Sequence, residues 1–269
     1  MKYLIIGASA AGISAAKTLR TLDKASNITV LSSDTEVHSR CMLHHFIGGH
    51  KTMEDINFSG ADFFDKYDIC WIKGHKAVKI AADKNEVILD DGRAVSYDKL
   101  LIASGAQYVV PPIGDLKTAP NVFGLRDVYD AEKISKKISG SKKCVIVGSG
   151  LGGLDAAYAL TEKGIECSIV EMADRISPLQ LDHTAANSYQ KLFEDAGCKF
   201  YLNEKASGTK SDAHGNITSV LVGGGTELDC DFVVMAAGVR PAVDFLAESG
   251  IEVNKAVSVI ILFPKFVIS

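Results

Sequence analysis

The chain has 269 residues, a hydrophobic content of 47%, a formal net charge of −4 and a sequence pI near 6.0. This length suits one large domain or two ordinary ones, and mixed charges without a long basic run argue against nucleic acid and membrane as partners. The six cysteines show neither CxxC nor metal-ligand spacing. We therefore expect a protein of the reducing cytoplasm without a metal site.

The first predicted element is the segment MKYLIIGASAAGISAA, which we interpret as part of a folded domain and not as an export signal. Gly7 and Gly12 interrupt its apolar run, and polar helix positions follow at once. The pattern predicts a strand over 2–6, a glycine turn, a helix through Arg20 and a strand over 28–31. This order is half of a nucleotide-binding fold.

The next segment, VHSRCMLHHFIGG, places Cys41 beside Arg40 and ahead of two histidines. Residues 42–47 predict a short helix, with Cys41 at its N-terminus, where the helix dipole favours a thiolate. His44 and His45 follow at i+3 and i+4, so we expect them to share the helix face of Cys41 and to relay a proton or stabilise the thiolate. The alternative is a structural thiol, because free cysteines are among the most buried residues.

Short strands are then predicted at 77–81 and in NEVILDDG, which ends in an Asp-Gly turn. In YDKLLIASGA an apolar strand over 99–103 leads directly into small residues, beginning with Ser104 and Gly105. Side chains this small leave space for a bulky cofactor against the strand end. The stretch PPIGD at 111–115 is the predicted linker into a second unit.

The same order recurs as a predicted strand over 143–147, a glycine turn, a helix to about residue 163 and a strand over 167–170. Gly148, Gly150 and Gly153 complete a GxGxxG pattern, and Glu171 ends the next strand, where a carboxylate can hold both hydroxyls of a ribose. The pattern alone also suits a tight turn that packs a helix on a sheet. Strand, turn, helix and acid together predict a dinucleotide site.

The first copy is less regular than the second. Ser9 replaces the middle glycine, and Ser32 and Ser33 stand where an acidic residue is expected. A serine can still donate a hydrogen bond to a phosphate, and hydroxyl groups can still contact a ribose. The first copy is therefore a weaker prediction of nucleotide binding that gains support from the second.

Four motifs occur in a characteristic order over residues 1 to about 258: GASAAG, LLIASGA, GSGLGG with Glu171, and AAGVRP at 236–241. In them the chain resembles the pyridine nucleotide-disulfide oxidoreductase superfamily, in the branch of coenzyme A-disulfide reductase, NADH oxidase and peroxidase, and rubredoxin and nitrite reductase flavoproteins. The resemblance implies an α/β fold of two Rossmann-like three-layer nucleotide-binding domains, the second inserted in the first. It implies an FAD-binding domain at 1–111, completed by 241–269, and an NAD-binding domain at 112–240.

The resemblance also implies FAD and NADH as cofactors and assigns residues to them by position. The implied contacts to the FAD pyrophosphate are Gly7, Ser9, Ala10 and Gly12. Ser32 and Ser33 are implied at the adenosine ribose, and Val78 at the adenine. Arg40 and Arg126 are implied near the flavin nucleotide, and Ala103, Ser104 and Gly105 at the strand end. Those implied for NADH are Gly148, Gly150, Gly153 and Glu171. Asp155 falls at the flavin–nicotinamide junction, where the family usually has glutamate, and Gly238 of AAGVRP completes the set.

In the resemblance, Cys41 falls on the single redox cysteine of coenzyme A-disulfide reductase and NADH peroxidase. Related reductases without a redox thiol carry other residues there, so a structural role stays open. The other five cysteines are predicted to be structural. The implied function is an NADH-oxidising flavoprotein reductase that passes electrons, through Cys41 in one variant, to a disulfide, peroxide, oxygen or small redox-protein acceptor.

The sequence departs from the family pattern at its C-terminal end. After AESGIEVNKAVSV the family continues with a Gly-Asp motif and a domain that forms the homodimer, whereas this sequence continues with IILFPKFVIS. We therefore expect a truncated chain with weakened FAD binding, in which residues 260–263 cover an exposed sheet edge or promote aggregation. The alternatives are an inactive nucleotide-binding remnant, a fragment of a split flavoprotein and, fitting the motifs least well, a single-cofactor NAD dehydrogenase.

Overall fold

The computed structural model describes residues 1–253 and the backbone of residues 266–268; the predicted edge-covering residues 260–263 lie outside them. The strands in chain order are β1 (Lys2–Ile6), β2 (Asn27–Ser32), β3 (Cys70–Lys73), β4 (Ala77–Ala81), β5 (Glu86–Leu89), β6 (Ala94–Ser96), β7 (Lys99–Ile102), β8 (Ala106–Tyr108), β9 (Val122–Phe123), β10 (Lys143–Val147), β11 (Glu166–Val170), β12 (Lys199–Tyr201), β13 (Ala206–Ser211), β14 (Ile217–Val222), β15 (Thr226–Asp229), β16 (Phe232–Met235), β17 (Val239–Pro241) and β18 (Phe266–Ile268). The helices are α1 (Ala10–Leu22), α2 (Leu43–Ile47), α3 (Phe63–Lys66), α4 (Val128–Ile138), α5 (Leu151–Glu162) and α6 (His183–Asp195), with 3-10 turns at Arg40–Met42 and Asp244–Leu246.

The chain forms two compact units, and the second is inserted in the first, as predicted. The first unit contains residues 1–39, 53–107 and the described residues from 240 onward. Its central sheet is parallel, with the strand order β18-β7-β1-β2-β3. The first glycine turn connects β1 to α1, and the strands predicted at 2–6 and 77–81 have these bounds in the structure.

Alternation of side chains along β1 produces three layers in the first unit. Leu4 and Ile6 face a cluster that includes Ile80 and Val87 of the antiparallel sheet β4-β5-β6. Ile5 faces the opposite side and packs with residues of α1 and α3. Because successive side chains of a strand point to opposite faces, an uninterrupted apolar strand is buried on both sides.

The second unit contains residues 40–52 and 108–239, and its central parallel sheet has the order β12-β11-β10-β16-β9. Val145 and Val147 of β10 pack with buried residues of the antiparallel sheet β13-β14-β15. Helix α5 contacts β10, β11 and β16 and buries Ala156 and Leu160. The three-layer arrangement therefore occurs twice.

Residues 40–52 pack with the second unit, although the sequence-based boundaries had kept them with the first domain. The short helix α2 contacts α4 and α5, and Leu43 and Ile47 are buried. Cys41 and the two histidines after it thus belong to the same unit as the second glycine turn. In the part of the chain that the structure describes, no helix is both long and apolar enough to cross a membrane.

Candidate functional site

The second glycine turn is packed tightly at two positions and open at a third. Gly148 has φ +103°, and a Cβ added there would lie 2.3 Å from the carbonyl oxygen of Ala236. A Cβ on Gly153 would lie 2.1 Å from the carbonyl oxygen of Gly148. Gly150, the N-cap of α5, has no other atom within 4 Å of such a Cβ. This leaves space at the N-terminus of α5, where helix amides attract an anion.

The carboxylate of Glu171 is oriented by the same turn. Its Oε2 accepts hydrogen bonds from the backbone N–H of Ser149 at 2.9 Å and from the Ser149 hydroxyl at 2.7 Å. Its Oε1 accepts a hydrogen bond from the backbone N–H of Ala173 at 2.9 Å. The acid predicted at the end of β11 is therefore held in a fixed orientation beside the glycine turn. Sequence analysis missed Ser149 as the residue that holds it.

The glycine turn of the first unit repeats this packing. Gly7 has φ +115° and donates its N–H to Leu31, and a Cβ there would lie 2.0 Å from the carbonyl oxygen of Ala103. A Cβ on Gly12 would lie 1.8 Å from the carbonyl oxygen of Gly7. Ser9 is the N-cap of α1, but its hydroxyl makes no capping hydrogen bond. This hydroxyl and the N-terminal amides of a 13-residue helix suit a phosphate.

The strand end beside this turn is also open. Ala103 and Ser104 are half-buried, and Gly105 has φ +70° with no atom within 4 Å of an added Cβ. Ala10, the first residue of α1, is exposed. The small residues predicted to give a cofactor room therefore do lie at a strand end with free space.

Ser32 and Ser33, implied at a ribose, differ in their surroundings. The Ser32 hydroxyl donates to the backbone oxygen of Asp34 at 2.8 Å and accepts from Trp71 Nε1 at 3.0 Å, and the residue is buried. Ser33 is exposed. Ser33 is the more available of the two for a ribose, because Ser32 is buried and its hydroxyl already makes two hydrogen bonds. Val78, implied at the adenine, is 48% exposed on β4.

In the second unit, Cys41 lies close to two guanidinium groups. It is exposed in the 3-10 turn that precedes α2, and the neighbouring Arg40 donates from Nη1 to the backbone oxygen of Arg126. Burial lowers the pKa of Arg126, the positive charge of Arg40 lowers it further, and the electrostatic effect of Cys41 raises it. Arg126 Nε is buried without a hydrogen-bond partner among the described residues. An unsatisfied buried donor of this kind favours an anionic neighbour.

The two predicted histidines lie against α5. The rings of His44 and His45 are 4.1 Å apart, and His44 Nδ1 is 3.7 Å from Asp155 Oδ2, which is an ion-pair distance but too long for a hydrogen bond. Burial lowers the pKa of His44, whereas the charge of Asp155 raises it. Burial also raises the pKa of Asp155. Burial therefore favours the neutral forms of both groups, and each can hold or release a proton.

Three further residues extend this group toward solvent, and sequence analysis missed them. His50 Nε2 lies 2.7 Å from Glu162 Oε2, and Tyr158 donates its hydroxyl to Glu162 Oε1 at 2.9 Å. The Tyr158 ring also makes edge contacts with His44 and His45. The spacing of positions 155, 158 and 162 on one helix was a signal for a shared face. These positions face a segment about a hundred residues earlier in the chain, and no local pattern in the sequence indicated that contact.

Gly238, the last of the residues implied by the resemblance, has φ +99°, and its carbonyl oxygen accepts a hydrogen bond from the backbone N–H of Val109 at 2.9 Å.

Of the five cysteines predicted to be structural, Cys70 is exposed and the other four are buried. One group of possible metal ligands occurs among the described residues, namely the surface residues His75, Asp90 and Asp91, and Arg93 already pairs with Asp91 at 2.6 Å.

Comparison with known proteins agrees with this geometry. The family described as pyridine nucleotide-disulphide oxidoreductase matches residues 1–261. The chain belongs to this family. The motif-based recognition and the α/β fold of two nucleotide-binding domains are therefore confirmed.

Among curated proteins, the NADH-dependent phenylglyoxylate dehydrogenase subunit epsilon of Aromatoleum evansii is 33% identical over 93% of this chain and 59% of its own length. Among solved structures, a NAD-dependent persulfide reductase from A. fulgidus matches with a TM-score of 0.87 and 27% identity, covering 95% of this chain and 49% of that one. A covalent putidaredoxin reductase–putidaredoxin complex matches with a TM-score of 0.86 and 26% identity, covering 94% and 62%. The chain thus spans less than two thirds of each relative.

Proposed function

We propose that this chain is the nucleotide-binding part of an FAD-dependent reductase that oxidises NADH. The observation that carries the proposal is the second glycine turn, where open space at Gly150 adjoins a Glu171 carboxylate that Ser149 holds in place. This arrangement provides helix amides for a pyrophosphate and a fixed acceptor for ribose hydroxyls. Bound FAD would accept hydride from NADH and pass electrons to an acceptor.

The first unit is the proposed FAD-binding domain. The backbone at Gly7 and Gly12 has no space for side chains, so β1, α1 and β7 approach closely, and the open N-terminus of α1 faces the turn. Ser9 would donate to the pyrophosphate, and the free space at Gly105 would accommodate the cofactor against the strand end.

The group around Cys41 supports a role in electron transfer to a sulfur or peroxide acceptor. The positive charges of Arg40 and Arg126 stabilise an anion, and a thiolate is the nucleophilic form of cysteine. Asp155 would hold a proton and His44 would accept one, because burial favours the neutral form of each. His50 and Glu162, which are partly exposed, would connect that pair to solvent. Two-electron reduction of a disulfide by NADH takes up one proton from solvent, which this group is placed to supply.

The acceptor class is proposed as a small molecule or a small redox protein. One relative is a persulfide reductase, and another forms a complex with putidaredoxin, so this scaffold serves both classes. The chain has six free cysteines, which supports a reducing compartment, and we place it in the cytoplasm. The homodimer implied by the family resemblance stays a prediction.

The deciding experiment is anaerobic reduction of the FAD-loaded chain. Purified protein in the presence of excess FAD should bind it, turn yellow and bleach when NADH is added. A panel of disulfide, peroxide, oxygen and rubredoxin-type acceptors should then restore the colour at rates that identify the acceptor. A chain that retains FAD but does not bleach with NADH would contradict the proposal and favour an inactive nucleotide-binding remnant.

A further inference from the structure

Two cysteines that are far apart in the sequence are neighbours in the central sheet of the second unit, and two more lie just before strands of that sheet, so the four form a row of nearby thiols. Cys144 of β10 and Cys167 of β11 are direct neighbours in the parallel register. Cys198 immediately precedes β12, and the next residues along the two strands, Ser168 and Lys199, are paired. Cys230 precedes β16, on the other side of β10, and its charge affects the pKa of Cys144. Because sequence spacing alone shows no such pair, sequence analysis treated these cysteines as unrelated structural residues.

Cys167 and Cys198 each stand one residue before the paired residues Ser168 and Lys199, so they are neighbours on adjacent chain segments. The interaction between the two side chains raises the pKa of Cys167 and lowers the pKa of Cys198. The Cys167 S–H donates to the carbonyl oxygen of Ile165 at 3.6 Å, and the lowered pKa of Cys198 favours its thiolate. Relative exposure is 1% for Cys167 and 4% for Cys198, so Cys198 is also the more accessible of the two.

We propose that Cys167 and Cys198 form an oxidation site, separate from Cys41, that closes to a disulfide on exposure to a peroxide. The Cys198 thiolate attacks the O–O bond of the peroxide, forms a sulfenic acid and releases hydroxide. The Cys167 sulfur then displaces the sulfenic oxygen as water and forms the S–S bond. For hydrogen peroxide, the two thiols lose two electrons and two protons, and the peroxide becomes two molecules of water.

The backbone geometry favours this pair. Neighbouring strands of a sheet lie about 4.8 Å apart, which is within the range of Cα separations that a disulfide spans. β12 is an edge strand, and Cys198 follows Gly197, which has φ +95° in the turn after α6. The Cys198 backbone therefore has a pairing strand on one side only. Cys144 lies on β10, which is paired on both sides, so its backbone has less freedom to approach Cys167.

The bond would close a loop that contains Glu171 and α6. Cross-links that close a loop reduce the freedom of the unfolded chain and stabilise the folded one. We therefore expect the oxidised chain to melt at a higher temperature than the reduced chain, with reversal by a dithiol reductant. This effect requires neither FAD nor NADH, so it is independent of the proposed reductase activity.

The test is peptide mapping of the full chain after mild oxidation. The reduced protein is treated with hydrogen peroxide while circular dichroism shows it folded, then acid-quenched, alkylated and digested. We expect one peptide that links Cys167 to Cys198, two hydrogen masses lighter than its separate parts, and its loss on reduction. Cys198→Ser should remove the linked peptide and the rise in melting temperature. Cys70→Ser, which changes an exposed cysteine outside the row, should retain both.

The wild-type map decides the proposal even if Cys198→Ser does not fold. Recovery of Cys167 and Cys198 as alkylated thiols, under conditions that oxidise the exposed Cys41 and Cys70, would overturn it. A link from Cys167 to Cys144, or a link that forms only after the native circular dichroism is lost, would overturn it as well.

Discussion

Glu171 accepts two hydrogen bonds from Ser149, one from the backbone N–H at 2.9 Å and one from the hydroxyl at 2.7 Å. Ser149 lies inside the glycine turn and is fully buried, so the turn and the acid at the end of β11 act as one rigid element. The carboxylate is held before any ligand arrives, which reduces the ordering that binding requires.

The first prediction is a preference for NADH over NADPH, because a carboxylate accepts from two ribose hydroxyls and repels a 2′-phosphate. Glu171→Gln removes the charge at nearly constant shape. Hydrogen bonds to a charged group contribute about 1.5–3 kcal/mol, so the dissociation constant for NADH should rise about 10- to 100-fold and the preference should narrow. The measurement is titration with both nucleotides. Equal catalytic efficiency of the wild-type chain with NADH and NADPH would show that the role given to Glu171 is wrong.

The second prediction separates folding from binding within the glycine turn. Gly150→Ala meets no atom within 4 Å and has an ordinary φ of −67°, so the variant should fold with undiminished stability. Its new methyl group would occupy the space proposed for the pyrophosphate, and NADH affinity should fall at least tenfold. Gly152→Ala, which also meets no atom within 4 Å, is the matched control and should bind normally. Equal NADH affinity in the two variants would show that the pyrophosphate does not bind at this position.

Local patterns in the sequence were sufficient to predict the two glycine turns and the strands before them. A tight turn requires glycine at fixed spacing, and buried parallel strands are continuously apolar. The strand bounds at 143–147 were predicted without error for this reason. The packing of α2 on α5 was not predictable, since contacts between residues such as His50 and Glu162, 112 positions apart, leave no local signal. Burial of Ser32 under Trp71 was missed for the same reason.

The third prediction tests the contact between His44 and Asp155. Burial lowers the pKa of His44, and the negative charge of Asp155 partly offsets that effect. Asp155→Asn should therefore lower the pKa of His44 further, whereas Asp155→Glu should restore most of the wild-type value. The measurement is NMR titration of the histidine ring protons in the cofactor-free chain. Asp90→Asn, which removes the partner of His75, is the control that should leave His44 unchanged.

The fourth prediction concerns the dependence of stability on pH. Burial raises the pKa of Asp130 to about 6, with a contribution from the charge of Asp127, whereas an unfolded aspartate titrates near 3.9. The folded state thus holds an extra proton between these values. The contribution of Asp130 to the free energy of unfolding is therefore fully present below about pH 4 and is lost as the pH rises through about 6.

Asp130→Asn mimics the protonated form and should remove that loss. Above pH 6 the variant should be more stable than the wild-type chain by up to about 3 kcal/mol, and the difference should fade toward pH 4. Urea denaturation over this pH range measures it. Asp195→Asn, at an exposed position of α6, should change stability by less than about 0.5 kcal/mol at every pH. A gain for Asp130→Asn that did not vary with pH would point to packing instead of titration.

The last prediction concerns Cys41, which lies in the 3-10 turn before α2 and close to Arg40 and Arg126. The sequence placed it at the N-terminus of a helix, but α2 has only five residues, so the two guanidinium groups, more than a helix dipole, are the source of positive potential. Cys41→Ser retains the size of the side chain and removes the nucleophilic sulfur. In the FAD-loaded form we expect loss of turnover with disulfide or peroxide acceptors.

Anaerobic bleaching of the same variant by NADH should stay normal, because the proposed NADH site at Gly150 and Glu171 is unchanged. Cys70→Ser, which alters the other exposed thiol, should turn over both acceptors as the wild-type chain does. Stopped-flow reduction and steady-state acceptor assays measure the two steps separately. Unchanged turnover in Cys41→Ser would exclude a redox role for this thiol. Electrons would then pass from the flavin directly to the acceptor, which would favour a small redox protein over a disulfide as the partner.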